Sequence, residues 1–284
     1  MWQYIEESHR QLLQRNGFSL FPDFMTFQGG KVLKQLPSRT ILKIELPSGE
    51  GTKTFFLKRH RVKLHIEDMV RTFLSGFHRS WGRKEWEVMQ AFQKSGIPTL
   101  SPVASGEKLS WFWQESFLMT EELVGFQSLE LFLKNRFAPP LSRERITEKR
   151  AVIQELARIT RTMHGAGFNH RDFYCCHIFI RRTEDGQRDW RILDLQRVDR
   201  RRWFRRRWII KDLAALNYSA PSPMMTRTDR LRFLRDYTTP SNGLRQERVL
   251  IEEIIRKTCK IGRHDQKLQQ RKIQANHSEG QLLV

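Results

Sequence analysis

His170-Arg171-Asp172 closes the stretch Phe168-Asn169-His170-Arg171-Asp172, and Ile192-Leu193-Asp194-Leu195 places a second acid 22 residues after the first. Each segment ends or follows an apolar run. An acid on a tight loop, followed by another at the end of the next strand, suits phosphoryl transfer. One carboxylate accepts the proton of an attacking hydroxyl, and the other holds Mg²⁺ against the phosphates. The tripeptide alone is a weak motif, because such runs occur by chance. Its neighbours carry the case.

Upstream, Phe55-Phe56-Leu57-Lys58 reads as a strand ending in a lysine. Glu85 lies in Arg83-Lys84-Glu85-Trp86-Glu87-Val88-Met89, which has helical spacing. In kinases a strand lysine contacts the α- and β-phosphates of ATP and a helix carboxylate holds it there. The order Lys58, Glu85, Asp172, Asp194 is therefore complete. The competing reading is four ordinary charged residues. The order predicts an α+β, protein-kinase-like fold with a small β-rich N-lobe and a larger helical C-lobe.

At 284 residues the chain is long enough for one two-lobed domain. Hydrophobic residues make up 39%, low for a globular protein, and charged residues 29%, slightly high. No apolar run is long enough to span a bilayer. The first residues, Met1-Trp2-Gln3-Tyr4-Ile5-Glu6-Glu7, lack a signal-peptide pattern. Three cysteines, Cys175 and Cys176 adjacent, form neither a disulfide framework nor a zinc pattern, which points to a reducing cytoplasm. Cys175-Cys176 reads as core packing, with a redox-sensitive thiolate as the alternative.

The net charge of +20 recruits polyanions: nucleic acid, an anionic membrane face, phosphorylated glycans or an acidic protein. It is clustered. Residues 197–207 carry seven arginines interleaved with Trp203 and Phe204, and residues 58–84 carry eight Lys/Arg against Glu67 and Asp68. Arginines among aromatics suit nucleic acid, and a solvated basic face is the bland alternative. The run follows Asp194, where kinases place the segment that meets the substrate. That position argues for function over a solvated face, with Arg197, Arg201, Arg202, Arg205 and Arg206 as acceptor-binding residues and nucleic acid the less expected partner.

The organisation expected is an extension over 1–30, an N-lobe over 31–123, a C-lobe over 124–260 and a basic, disordered tail over 261–284. A short helical pattern lies near Ile5–Leu13. Strands are predicted at 31–36, 41–46, 52–58, 102–106 and 115–120, with turns at Pro37-Ser38-Arg39-Thr40 and Pro47-Ser48-Gly49-Glu50-Gly51. A basic helix is predicted at about 65–75 and another at 82–94. Glu121, Glu122 and Leu123 sit where kinases join the lobes and bind adenine through backbone groups. Ser142 caps a long helix with Val152, Ile153, Leu156, Ile159 and Met163 on one face. A hairpin pairs Ile178-Phe179-Ile180 with Trp190-Arg191-Ile192-Leu193, and helices follow at 211–219, 228–237 and 245–258.

Phe168-Asn169-His170-Arg171-Asp172-Phe173-Tyr174-Cys175-Cys176-His177 is similar to the catalytic stretch of the bacterial lipopolysaccharide core heptose(I) kinases, the Kdo/WaaP family. So are Leu193-Asp194-Leu195-Gln196-Arg197, the arginine-rich segment after it and Lys211-Asp212-Leu213. Arg39-Thr40-Ile41-Leu42, Phe56-Leu57-Lys58, Lys84-Glu85-Trp86 and Val103-Ala104-Ser105-Gly106-Glu107 agree as well, so the likeness runs from about residue 25 to 240. The stretch from His170 to His177 separates this family from ordinary protein kinases. The resemblance implies a kinase-like protein that uses ATP and Mg²⁺ to phosphorylate a heptose hydroxyl of the lipopolysaccharide inner core. It implies an anionic, lipid-anchored acceptor, and a cytoplasmic protein held at the inner face of the inner membrane. There each nearby Lys or Arg is worth roughly 1 kcal/mol.

His177 stands where kinases carry a metal-binding Asn. Imidazole is a poor Mg²⁺ ligand, so His177 is read as a metal-site residue or as a structural group orienting Asp172. The phosphate-covering loop lacks GxGxxG, which leaves backbone amides at Pro37-Ser38-Arg39-Thr40 and the Arg39 side chain. Gly29-Gly30-Lys31 lacks the P-loop spacing and reads as a turn. Asp212 is either an ordinary helix-start acid or the buried acid that braces the loop of His170, Arg171 and Asp172. A phosphate- or nucleic-acid-binding pseudokinase and a protein kinase of similar fold are the alternative functions, since fold does not choose the acceptor.

Overall fold

The structure is a computed structural model, described for residues 1–49, 51–64, 80–110, 112–201, 203, 205–238 and 244–281, with backbone alone at 244–246 and 272–281. The basic helix expected at about 65–75 lies outside the described residues, as do Arg202 and Trp111. The chain forms two compact units. The first comprises Met1–Phe126 with Ile192–Gln196, and the second Gln127–Arg191 with Arg197–Val284.

The first unit is built on a six-stranded antiparallel sheet. Its strands are β1 (Trp2–Ile5), β2 (Lys31–Leu36), β3 (Arg39–Ser48), β4 (Gly51–Lys63), β5 (Pro102–Leu109) and β6 (Trp113–Glu121). Their order is β1-β5-β6-β4-β3-β2. Side chains alternate across a strand, so Phe55 and Leu57 of β4 face the apolar core while Lys58 and His60 take the other face. Leu42, Ile44 and Leu46 of β3 and Phe117 and Met119 of β6 complete that core. Helices α1 (Glu7–Arg15) and α2 (Phe21–Thr26) cover it with Leu13, Phe21 and Phe24, and Phe24 stacks on Phe117 at 4.1 Å. The first thirty residues are thus part of this unit, which they cover and extend by β1. Gly30 ends them with φ +90°, and a Cβ there would come within 2.5 Å of the Lys43 carbonyl oxygen. The Gly29-Gly30 pair is therefore a turn into β2.

Helix α3 (Trp81–Lys94) packs on the sheet, its first turn capped by Ser80. Gly82, Glu85, Met89 and Phe92 are its buried residues, a spacing of three and four that marks one helix face. A Cβ at Gly82 would sit 2.9 Å from the Phe117 carbonyl oxygen. Glycine here lets the helix approach β6 closely.

The second unit is mainly helical. It contains β7 (Gln127–Ser128), α4 (Leu129–Arg136), α5 (Arg143–Gly165), β8 (Phe168–Asn169), β9 (Ile178–Arg182), β10 (Arg188–Ile192) and β11 (Asp199–Arg200). Helices α6 (Arg206–Ser219), α7 (Arg227–Tyr237) and α8 (Leu244–Gln281) follow. Ser142 caps α5, and the five apolar residues expected on its inner face are all buried. The disorder expected from about residue 261 is not found through Gln281, because α8 continues as helix that far. A polar, basic composition without Pro is compatible with helix, so composition alone does not report the ending. No described helix is long and apolar enough to cross a membrane.

His60 is buried on β4, in register with Arg39, and its Nε2 has no hydrogen-bond partner. Burial first, then the charges of Arg39 and Lys58, lower its pKa from 6.5 to about 4. The unfolded chain therefore takes up a proton at a higher pH than the folded one. The stability held by neutral His60 is complete above pH 6.5 and is lost as pH falls toward about 4. Denaturant unfolding of wild type and His60→Leu should be compared across the range from about pH 7.5 to about pH 4. Wild type should lose about 3 kcal/mol more than the variant, because each tenfold change in proton affinity is worth about 1.4 kcal/mol. Parallel curves would mean that His60 is not held neutral.

Candidate active-site residues

Within the first unit, the Lys58 Nζ donates to Glu85 Oε1 at 2.7 Å. Glu85 is fully buried and Lys58 partly exposed. A buried carboxylate is tolerated when its oxygens are satisfied. The second oxygen accepts from Gln196 Nε2 at 3.0 Å, and Gln196 Oε1 accepts from Arg39 Nη1 at 3.3 Å. Arg39 opens β3 directly after the two-residue turn Pro37-Ser38. Glu121 ends β6, and its carboxylate accepts from His9 Nε2 at 2.7 Å. The Leu123 carbonyl oxygen accepts a long bond from the Phe126 amide at 3.4 Å, and Glu122 pairs with Lys43 at 2.8 Å. Asp194 has φ +58°. A non-glycine residue in this region is uncommon, and such backbone clusters at functional sites.

In the second unit, Arg171 is, among the described residues, the other non-glycine residue with positive φ, at +71°. Two bonds to a buried side chain hold this backbone: the amides of His170 and Arg171 each donate to the Asp212 carboxylate at 2.7 Å. Asp212 is 0% exposed. It lies in the second turn of α6, which begins at Arg206, so the expected helix start at 211 is corrected. The basic run enters this helix without a Ser, Thr, Asp or Asn cap to announce it. His164 Nε2 lies 3.4 Å from Asp212, its Nδ1 lies 2.9 Å from the Tyr237 hydroxyl, and Arg205 donates to the His164 carbonyl oxygen.

Asp172 follows on the same loop. Arg197 Nη1 donates to both of its carboxylate oxygens, at 2.8 and 3.1 Å. The His177 ring Nδ1 lies 2.8 Å from the Asp172 carbonyl oxygen. A carbonyl only accepts, so this nitrogen carries the proton, and the bond orients the loop. Lys211 of α6 has its pKa lowered by burial, with Arg171 and Arg197 adding to the effect and Asp172 and Asp212 opposing it. Arg171 donates to Asp199 at 3.0 Å and lies 4.7 Å above the Trp208 ring, while Arg201 shares both partners.

The arginine run therefore divides. Arg205 is tied to backbone, Arg206 pairs with Glu253 at 2.6 Å, and Arg207 lies over Trp208. Arg200 lies over Phe168 and donates to the Ala166 carbonyl oxygen. Cys175 is buried, lines an apolar cavity with Leu133, Leu156, Leu216 and Phe233, and has its thiol pushed up to about 12 by burial. That environment suits packing and disfavours a thiolate. Reasoning from sequence passed over Gln196 and Lys211. Gln196 lies within a quoted stretch, but its partners Arg39 and Glu85 are more than a hundred residues away in sequence.

Among the described residues, no three His, Cys, Asp or Glu side chains cluster as a metal cage. A magnesium ion bound beside nucleotide needs none. It takes one or two carboxylates, with phosphate and water oxygens completing the shell. The carboxylate of Asp194 fits that donor chemistry.

A strand lysine paired with a buried helix carboxylate, and an acid on a loop braced by a buried helix aspartate, define a kinase-like phosphotransferase fold. The chain belongs to the lipopolysaccharide kinase (Kdo/WaaP) family, whose pattern it matches over residues 39–237. It is 36% identical over 239 residues to the lipopolysaccharide core heptose(I) kinase WaaP of Pseudomonas aeruginosa, covering 82% of this chain and 85% of the relative. It is 31% identical over 248 residues to the protein of that name from Escherichia coli, covering 85% and 90%. A solved structure of WaaP in complex with acyl carrier protein matches with a TM-score of 0.70 and 32% identity, over 92% of this chain and 99% of that one.

Asp212→Asn would turn one acceptor into an amide donor facing a backbone N–H. The variant should lose about 1–3 kcal/mol of stability, and the amides of His170 and Arg171 should exchange hydrogen faster than in wild type. Unchanged exchange at both amides would remove Asp212 as the brace.

Proposed function

We propose that this protein is an ATP-dependent kinase that phosphorylates a heptose hydroxyl of the lipopolysaccharide inner core. The observation that carries the proposal is the complete set of Lys58–Glu85, Asp172 and Asp194 in a member of this family. Lys58 meets the α- and β-phosphates, with Glu85 fixing its ammonium. Arg39 adds a guanidinium where a glycine-rich loop would otherwise supply backbone amides. The backbone of Glu121 and Leu123 receives adenine. Asp172 accepts the proton of the sugar hydroxyl. His170, Arg171 and His177 keep its loop in place, and Lys211 offsets charge beside it. Asp194 holds Mg²⁺, which when bound neutralises charge developing on the phosphates.

With purified protein, Mg-ATP and heptose-containing core lipopolysaccharide, mass spectrometry should detect one added phosphate on a heptose. Asp172→Asn should lower turnover by roughly 10²–10⁴, the scale of general-base catalysis, with ATP binding little changed. Asp194→Asn should instead weaken Mg-dependent ATP binding. A wild-type protein that binds ATP but leaves the heptose unmodified would favour the pseudokinase alternative. Phosphorylation of Ser or Thr peptides in preference to the glycolipid would favour the protein kinase.

The same protein works, in this proposal, against the inner face of the inner membrane, where its +20 charge meets anionic lipid and an anionic acceptor. Arg197, Arg201, Arg202 and Arg206 supply guanidinium forks to acceptor phosphates or carboxylates, whereas Arg205 serves the fold. The basic surface also suits an acidic protein, and we infer an acyl carrier protein as such a partner by likeness to the solved complex. Arg201→Gln with Arg206→Gln should raise the KM for glycolipid and flatten its salt dependence, because screening acts on these charges. Immobilised acyl carrier protein should retain the wild-type chain at low salt and release it at high salt. Equal phosphorylation of a neutral heptoside would count against the charged-acceptor role, and salt-independent failure to bind acyl carrier protein against the partner.

A further inference from the structure

We propose that Gln196 is a positioning residue that locks Arg39, Lys58 and the Asp194 turn into one alignment, so that the three groups meet a triphosphate together. The proposal rests on the nucleotide roles assigned above. Its own content is the bridge.

Gln196 is 8% exposed, and both ends of its amide are used. Nε2 donates to Glu85 Oε2 at 3.0 Å, and Oε1 accepts from Arg39 Nη1 at 3.3 Å. The other Glu85 oxygen takes Lys58 at 2.7 Å. The orientation of the amide is dictated by its partners. Turned over, it would set an oxygen against a carboxylate and an NH₂ against a guanidinium. Glutamate lacks the donor, lysine and arginine lack the acceptor, and leucine lacks both.

The bridge joins three distant segments. Arg39 comes from the first position of β3, Lys58 from β4 and Glu85 from α3, while Gln196 lies two residues beyond Asp194. Leu195 between them is fully buried and pins the turn. The Arg39 Nε is buried without a hydrogen-bond partner, so its contact with Gln196 matters to where the guanidinium rests. A glycine-rich loop would close on phosphates by backbone amides. Here a side chain takes that task, and Gln196 ties it to the lysine and to the metal-binding turn.

The experiment compares wild type, Gln196→Leu, Gln196→Glu and the exchange variant Glu85→Gln with Gln196→Glu, all checked for cooperative unfolding. Gln196→Leu should raise the KM for Mg-ATP about ten-fold, the scale of one lost hydrogen bond to a charged group, and change the KM for glycolipid little. Gln196→Glu sets two carboxylates against each other, which forces them to share a proton. Its raised carboxyl pKa favours the folded state at low pH, and that stability is lost as pH rises. Its melting temperature should therefore fall relative to wild type between pH 5 and 8, and its ATP affinity should weaken in parallel. The exchange variant restores one carboxylate facing one amide and should recover the wild-type pH profile of melting. Normal KM for ATP in Gln196→Leu, or a Gln196→Glu melting profile parallel to wild type, would overturn the proposal. The melting profiles need no nucleotide. If the wild type failed to bind ATP, the proposed function would fall, while the profiles would still decide whether the bridge exists.

Discussion

A fully buried carboxylate is among the most demanding groups a fold can contain. Stripped of water, Glu85 needs a donor at each oxygen. Lys58 and Gln196 meet that demand, and much of the first unit is arranged so that they can. Gly82 allows α3 to lie close on β6, and Ser80 caps the first turn that carries the helix in. The alternation of β4 turns Lys58 away from Phe55 and Leu57 and toward α3. His60, on the same face, is kept neutral by burial beside Arg39 and Lys58.

The second unit solves a related problem by a different route. Its loop of His170, Arg171 and Asp172 includes a residue with positive φ at Arg171, a conformation that the local sequence does not favour. Asp212 compensates by accepting the two backbone amides, so a buried charge supports a strained backbone. Asp199 and Trp208 receive the Arg171 side chain, and His177 donates to the carbonyl oxygen of Asp172. The loop is thus held by side chains from later segments more than by its own hydrogen bonds.

The basic charge is less uniform than its composition suggests. Within residues 197–207, Arg205 serves the backbone, Arg206 takes an acid from α8, and Arg201 and Arg207 share the face of Trp208 with Arg171. Guanidinium groups stack on an indole while keeping donors available at their edges. Counting arginines therefore hides how many of them serve internal partners.

The sequence by itself determined five of the six strands of the first sheet, the hairpin of β9 and β10, the long helix after Ser142, and the identity and order of Lys58, Glu85, Asp172 and Asp194, while β1 escaped it. These are local signals: period-two and period-3.6 patterns, caps, turns and a motif with near neighbours. It also raised Asp212 as a brace but could not choose between that and a helix-start acid. The beginning of α6 was misplaced because arginines replace the usual capping residues. The helical continuation to Gln281 was missed because polar composition is shared by solvated helix and disorder. Tertiary structure alone decided that Gln196 bridges Arg39 to Glu85, that Arg197 sits on Asp172, and that Arg205 belongs to the fold. Those facts depend on which donors and acceptors meet across more than a hundred residues, 25 residues and 41 residues respectively, and no local periodicity encodes such meetings.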